Sequence, residues 1–235
     1  MRTTNVIHQS LRIPVAGVVL EADVGLPTSP RGAVLFAHGS GSGRHSPRNR
    51  YVAGELNRVG LATVLADLLT GQEEQVDNRT AALRFDMELL AVRVTALTDW
   101  MVDNELTAGL GVGLFGASTG AAAALIAAAA RPATVQAVVS RGGRPDLAGA
   151  HLHQVHQPTL LIVGERDPVV VELNRQAMTK LAGEKHLAII PGASHLFEEP
   201  GALEYVARLA QDCFVRHLRS VSRRETAADQ PRETG

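Results

Sequence analysis

Gly111-Val112-Gly113-Leu114-Phe115-Gly116-Ala117-Ser118-Thr119-Gly120 runs without a break into Ala121–Ala130, a block in which only Leu125 and Ile126 are not alanine. A short apolar run, a serine between glycines and a helix-forming block predict a strand, a sharp turn and a helix, with Ser118 at the turn. A serine held at the tip of such a strained turn needs very small neighbours, so that the backbone can bend and Oγ stands clear of the sheet. Gly116 and Gly120 supply that clearance in a G-x-S-x-G pattern. The turn also aims the backbone N–H of Thr119 and the positive end of the following helix at the point where a substrate carbonyl would become an oxyanion. Glycine and alanine are frequent in this chain, so the match alone does not decide the matter; the downstream residues do.

A serine nucleophile needs a base and an orienting acid, and with this kind of turn they follow in the order Ser, acid, His. Pro158-Thr-Leu-Leu-Ile-Val163 is an apolar, branched run of the kind found in buried parallel strands, and it ends in Gly164-Glu-Arg-Asp167-Pro168. Asp167 is therefore the candidate acid. Leu187-Ala-Ile-Ile190 is a second such run, followed by Pro191-Gly-Ala-Ser-His195-Leu-Phe197, which puts His195 on a turn before the last helix. Neutral imidazole can take the Ser118 proton near pH 7 and hand it to a leaving group, while Asp167 fixes the tautomer and stabilises the imidazolium.

These residues together resemble an α/β-hydrolase, and most nearly its dienelactone hydrolase-like branch. The resemblance extends from about residue 30 to 218 and rests on Phe36-Ala-His-Gly-Ser40, the Gly116–Gly120 turn, Gly164-Glu-Arg-Asp167 and His195-Leu-Phe197. The stretch Ala37–Pro47 is also similar to bacterial members that occur fused to phosphoribosyltransferase domains. Dienelactone hydrolases proper carry cysteine at the elbow, where this chain has Ser118. The resemblance thus implies ester hydrolysis as a class, through an acyl-enzyme on Ser118, with lactones and thioesters within reach. An acyltransferase would use the same residues, and a hydrolase-fold protein that binds a small molecule without turning it over is the reading from a different class.

The chain has 235 residues, the size of one α/β domain, expected over residues 1–219. Residues 220–235 are polar, charged and aperiodic, and are expected to form a disordered tail. The net charge of −1 gives no footprint for nucleic acid, and no apolar run approaches the length of a membrane span. A small ester-like molecule is then the expected partner. Met1–His8 lacks the apolar core of a signal peptide and one cysteine cannot form an internal disulfide, so a cytoplasmic location is expected. Cys213 reads as part of a buried helical face. The sequence carries no signal of oligomeric state.

Alternating apolar runs and helical periods predict a mainly parallel sheet with helices on both faces and no large lid. Residues 4–12 and 15–24 read as a leading antiparallel pair separated at Pro14. Strands follow at 33–37, 62–66, 110–115, 135–139, 158–163 and 187–190, and helices at 47–59, 79–103, 119–130, 169–181 and 200–219. Leu83, Met87, Leu90, Val94, Leu97 and Met101 form a stripe at helical spacing within the long 79–103 helix, read as core. Residues 140–157 leave room for only a short helix where a lid would be inserted, and the polar stretch 68–78 is the expected mobile flap. Small, accessible acyl groups are the favoured substrates.

Ser40, just beyond an early strand, is the candidate for the second oxyanion-hole N–H, beside that of Thr119. Gly39-Ser-Gly41-Ser-Gly43 followed by Asp67 superficially resembles a dinucleotide fingerprint, but Arg44 stands where the third glycine belongs and no Walker lysine is present, so no cofactor is expected. His151, His153 and His156 have no cysteine or carboxylate at ligand spacing, so no metal is expected. Ser140-Arg141-Gly-Gly-Arg144 should leave the sheet at the same carboxyl edge as Ser118. Arg141 or Arg144, with Arg44 as a further contributor, is a candidate for binding an anionic group on the substrate; the alternative is pairing with Asp146 and other surface acids.

Overall fold

Ala16 and Gly17, at φ 50° and 76°, close a two-residue turn between strands β1 (Val6–Val15) and β2 (Val18–Pro27). Two successive positive-φ residues match the right-handed twist of an antiparallel pair, which places the turn here and not at Pro14. Pro14 instead lies inside β1, opposite Val19, and is tolerated because β1 is the edge of the sheet. The computed structural model describes residues 5–220, so the tail expected over 220–235 lies outside the described residues from 221 onward.

The remaining strands are β3 (Gly32–Ala37), β4 (Leu61–Ala66), β5 (Val112–Ala117), β6 (Val135–Arg141), β7 (Thr159–Gly164) and β8 (Lys185–Ile190). They form one sheet in the order β1-β2-β4-β3-β5-β6-β7-β8, parallel from β4 through β8, with β2 antiparallel to β4. β3, β4, β5 and β7 are buried along their whole length, as continuous branched apolar runs covered on both faces should be. Helices α1 (Pro47–Arg58) and α6 (Ala202–His217) pack one face through Val52, Leu56, Val206, Ala210 and Phe214. Helices α3 (Met87–Asp103) and α4 (Thr119–Ala130) cover the other, where Leu90, Val94, Leu97 and Met101 of the expected stripe are buried. Alanine at nearly every position lets α4 sit buried against the sheet directly after the Ser118 turn.

The segment after β4 holds more local structure than its sequence announced. The polar stretch at 68–78, expected as a mobile flap, is mostly helix α2 (Gly71–Thr80). Thr70 Oγ1 accepts the Glu73 N–H at 3.2 Å and Glu73 Oε2 accepts the Thr70 N–H at 2.7 Å, a reciprocal cap that starts the helix. The long helix expected over 79–103 is broken: Ala81 adopts the left-handed conformation, a 3₁₀ turn spans Leu83–Phe85, and Asp86 caps α3 by accepting the Leu89 N–H at 2.9 Å. Periodicity continued across these caps, and the caps decide where the helices end. Between β6 and β7 lies only a 3₁₀ segment, Pro145–Gln154, kinked at Gly149, followed after β7 by α5 (Pro168–Lys180).

Candidate active site

Ser118 joins β5 to α4 at φ 50°, ψ −122°, a conformation that costs any residue with a Cβ of order 1–3 kcal/mol. The neighbouring glycines make it sterically attainable. A Cβ on Gly120 would run into the carbonyl oxygens of Ala37 and His38, and one on Gly116 into Ala121. A Cβ on Gly39 would stand 2.8 Å from that of Ser118, so the β3 loop passes directly against the serine. The Ser118 backbone is pinned from the other side: its N–H donates to Arg141 O at 3.2 Å, and its carbonyl accepts the Arg144 N–H at 3.0 Å.

Asp167 follows β7 and is the N-cap of α5, where its Oδ1 accepts the Val170 N–H at 3.4 Å. Its other oxygen, Oδ2, lies 2.7 Å from Nδ1 of His195. The loop that carries His195 is held by carboxylates accepting main-chain N–H groups: Glu165 Oε2 from Gly192 at 2.7 Å and Glu199 Oε2 from Ser194 at 3.0 Å. The Ser194 amide keeps the Glu199 carboxyl below its usual range. Phe197, buried at φ 57°, turns the chain back under this loop. A Cβ on Gly142 would lie 3.5 Å from Cε1 of His195, so the imidazole sits on the same 141–144 turn that pins Ser118. Nε2 of His195 and Oγ of Ser118 make no hydrogen bond to the described residues. Bonds of this kind often tighten only when substrate arrives.

Thr119 is the first residue of α4, so its N–H is among those that a helix start leaves without an intrahelical partner. The Ser40 N–H, the other expected oxyanion donor, already donates to Thr119 Oγ1 at 3.1 Å, and Ser40 Oγ lies 3.0 Å from the same hydroxyl. Sequence reading could not see this bond, which joins residues 79 apart. Beside Ser40 and Thr119 opens a cavity of about 340 Å³ lined by the 39–45 loop, Asp67, Glu74, Asp77 and Arg84. His38 is a structural member of this wall: its Nε2 accepts the Leu68 N–H at 2.9 Å, which leaves the proton on Nδ1 to donate to Gly39 O at 3.0 Å. Burial pushes its pKa down and keeps it neutral.

The three candidate arginines part company. Arg44 is enclosed by Glu21 at 2.5 Å, Asp23 at 3.7 Å and Asp67, so its charge is already met by acidic side chains. Arg144 makes a two-pronged pair with Asp146, at 2.9 and 2.7 Å. Both follow the alternative of acidic partners. Arg141 is buried, with no carboxylate and no hydrogen-bond acceptor for its side chain among the described residues. Burial, with Arg48 nearby, pushes its pKa down to about 10. His151, His153 and His156 are exposed, and no cluster of metal-ligating side chains occurs among the described residues. No helix among them is long and apolar enough to cross a membrane.

A family model described as "Alpha/beta hydrolase domain" matches residues 30–210. The chain is 56% identical to the dienelactone hydrolase of Anabaena variabilis ATCC 29413, whose crystal structure superposes with a TM-score of 0.89 over 91% of this chain and 99% of that one. Est1E from Butyrivibrio proteoclasticus, at 16% identity, shares the fold with a TM-score of 0.73, covering 88% of this chain and 98% of its own. A Mycobacterium tuberculosis protein named "Putative phosphoribosyl transferase" is 57% identical over 206 residues, which make up 88% of this chain and 44% of that protein. The chain thus spans less than half the length of the curated relatives it matches.

Proposed function

Since this chain belongs to the α/β-hydrolase family, in its dienelactone hydrolase-like branch, we propose that it hydrolyses small carboxylic esters through an acyl-enzyme on Ser118. The observation that carries this reading is the backbone of Ser118: a residue with a Cβ is kept at φ 50° where glycine would relieve the strain, at the sheet edge that also holds the Asp167–His195 pair. Such outliers persist where surrounding structure over-determines them, and function is the usual reason.

In this mechanism Oγ of Ser118 attacks the carbonyl carbon while Nε2 of His195 takes its proton. Asp167 holds Nδ1–H, selects the tautomer and stabilises the imidazolium. The tetrahedral oxyanion is received by the Thr119 N–H at the α4 terminus and by the Ser40 N–H, which exchanges the Thr119 hydroxyl for the stronger charged acceptor. The imidazolium then protonates the departing alkoxide. Water, deprotonated by the same imidazole, releases the acid and regenerates Ser118. Lactones and thioesters fit the same sequence of steps.

The short kinked segment between β6 and β7 favours small acyl groups over long lipids. Phosphoribosyl transfer, the activity in the mycobacterial name, belongs to a protein less than half of which aligns with this chain. Hydrolysis of a p-nitrophenyl ester series tests the proposal. Turnover that is highest for acetate or butyrate and absent from Ser118→Ala is expected; turnover no faster than that variant's on every ester would overturn it.

A further inference from the structure

Arg141 is a charged side chain that the proposed reaction leaves without a task. It ends β6 on the face that Ala137 and Val139 turn toward α1 and α6, and is only 9% exposed. Its guanidinium makes no hydrogen bond or ion pair with the described residues, and Nη1 is sealed from solvent. Other arginines at this edge have carboxylates: Arg44 has Asp67, Arg84 has Asp77 and Arg144 has Asp146. A second cation, Arg48 in the first turn of α1, has its Nε buried without a hydrogen-bond partner among the described residues, and its charge acts on Arg141. Arg48 reaches Glu198, three residues beyond His195, at 3.4 Å, and that carboxylate is 65% exposed.

Burying a guanidinium without a partner forfeits hydrogen bonds to water, and a second cation beside it adds repulsion. A protein gains nothing for its stability from this arrangement, whereas a guest anion would be met by donors already desolvated and held in place. The location suits a substrate group. Arg141 lies in register with Ala117 on β5, its carbonyl accepts the Ser118 N–H at 3.2 Å, and the next residue, Gly142, lies against the His195 ring. An anion held at Arg141 would therefore share the carboxyl edge of the sheet with Ser118 and His195.

We propose that Arg141 and Arg48 together form a receptor for a phosphate group carried by the substrate. A phosphate is favoured over a carboxylate by shape. Two cations with one counter-ion leave a net positive charge that an anion would meet, and a tetrahedral phosphate can bridge guanidiniums from two elements, whereas a planar carboxylate is satisfied by one fork. That the anion belongs to a substrate rests on the serine-hydrolase reading; the receptor itself does not.

Two measurements test it separately from catalysis. In Ser118→Ala, which keeps any ligand intact, inorganic phosphate is expected to raise the thermal midpoint more than acetate does, and the double variant Ser118→Ala/Arg141→Met should lose at least tenfold in phosphate affinity. Arg48→Gln provides the same comparison should Arg141→Met fold poorly. In the active protein, the ratio of kcat/KM for the acetyl ester of a hydroxyalkyl phosphate to that for the matching uncharged ester should exceed ten, and fall at least tenfold in Arg141→Met. Phosphate binding that depends on Arg141 without turnover of any ester would leave the receptor standing and sink the hydrolase reading. Hydrolysis with a ratio near one, or the same phosphate affinity with and without Arg141, would overturn the receptor. A preference for the carboxylate-bearing over the phosphate-bearing ester would overturn the choice of phosphate.

Discussion

Oδ2 of Asp167 lies 2.7 Å from Nδ1 of His195, while Oδ1 of the same carboxylate caps helix α5 through the Val170 N–H. One side chain thus orients the imidazole and satisfies a helix end. Asp167→Asn keeps an oxygen for the cap but offers an amide where Nδ1–H needs an acceptor. Ester hydrolysis should fall by about 10²- to 10⁴-fold with little change in thermal midpoint. His195→Ala should lose at least as much. The double variant should lose no more than the worse single one, because the two residues act as a unit. Steady-state kinetics showing the product of the two losses would contradict the shared mechanism.

Ser118→Ala and Ser118→Gly should both be inactive, yet differ in stability. Alanine keeps the strained φ of 50° and glycine relieves it, so the glycine variant should be the more stable by about 1 kcal/mol despite its more flexible unfolded chain. Urea denaturation of the pair measures this. An alanine variant that matches or exceeds the glycine one would show that the turn stores no strain.

Gly120 and Gly54 are both helical glycines with opposite expectations. A Cβ on Gly120 meets the backbone of Ala37 and His38, whereas one on Gly54 in α1 meets nothing within 4 Å. Gly120→Ala should therefore destabilise by at least about 2 kcal/mol. Gly54→Ala should stabilise by about 0.5–1 kcal/mol through helix propensity. Thermal unfolding of the two variants reads both signs.

The order of strands and helices, and the meeting of Asp167 with His195 at the carboxyl edge of the sheet, were legible because each depends on local signals: an apolar run, a small-residue turn, a polar residue just past a strand. What escaped the sequence was non-local or decided at caps. The helical period across residues 79–103 hid the breaks at Ala81 and Asp86, and the polar composition of 68–78 hid a helix fastened by Thr70 and Glu73. Arg44 looked available for a ligand because its partners Glu21 and Asp23 sit on β2, far back in the chain. The commitment of the Ser40 amide to Thr119 and the placing of Arg48 near Arg141 are likewise products of tertiary packing, with no pattern in the sequence to announce them.

Cys213 tests the reading of α6 as a packed face. Burial pushes its thiol up to about 12 from an ordinary value of 9.0, so the folded protein holds it protonated at pH 8. The sign follows for stability: the neutral thiol's contribution is complete below pH 9 and is lost as the pH rises toward 12. Cys213 is half-buried, so a disulfide reagent such as Ellman's should react with it at pH 8 far more slowly before denaturant is added than after. Rapid labelling of the native protein would mean that this face of the helix is open.

Hydrolysis by this chain requires Ser118 to be an activated nucleophile. Its most direct measurement is treatment of the folded protein with a fluorophosphonate probe, followed by peptide mass spectrometry. One modified residue, Ser118, is expected, with labelling slowed by orders of magnitude in His195→Ala; a folded protein whose Ser118 stays unlabelled, or labels as fast without His195, would not be a serine hydrolase of this kind.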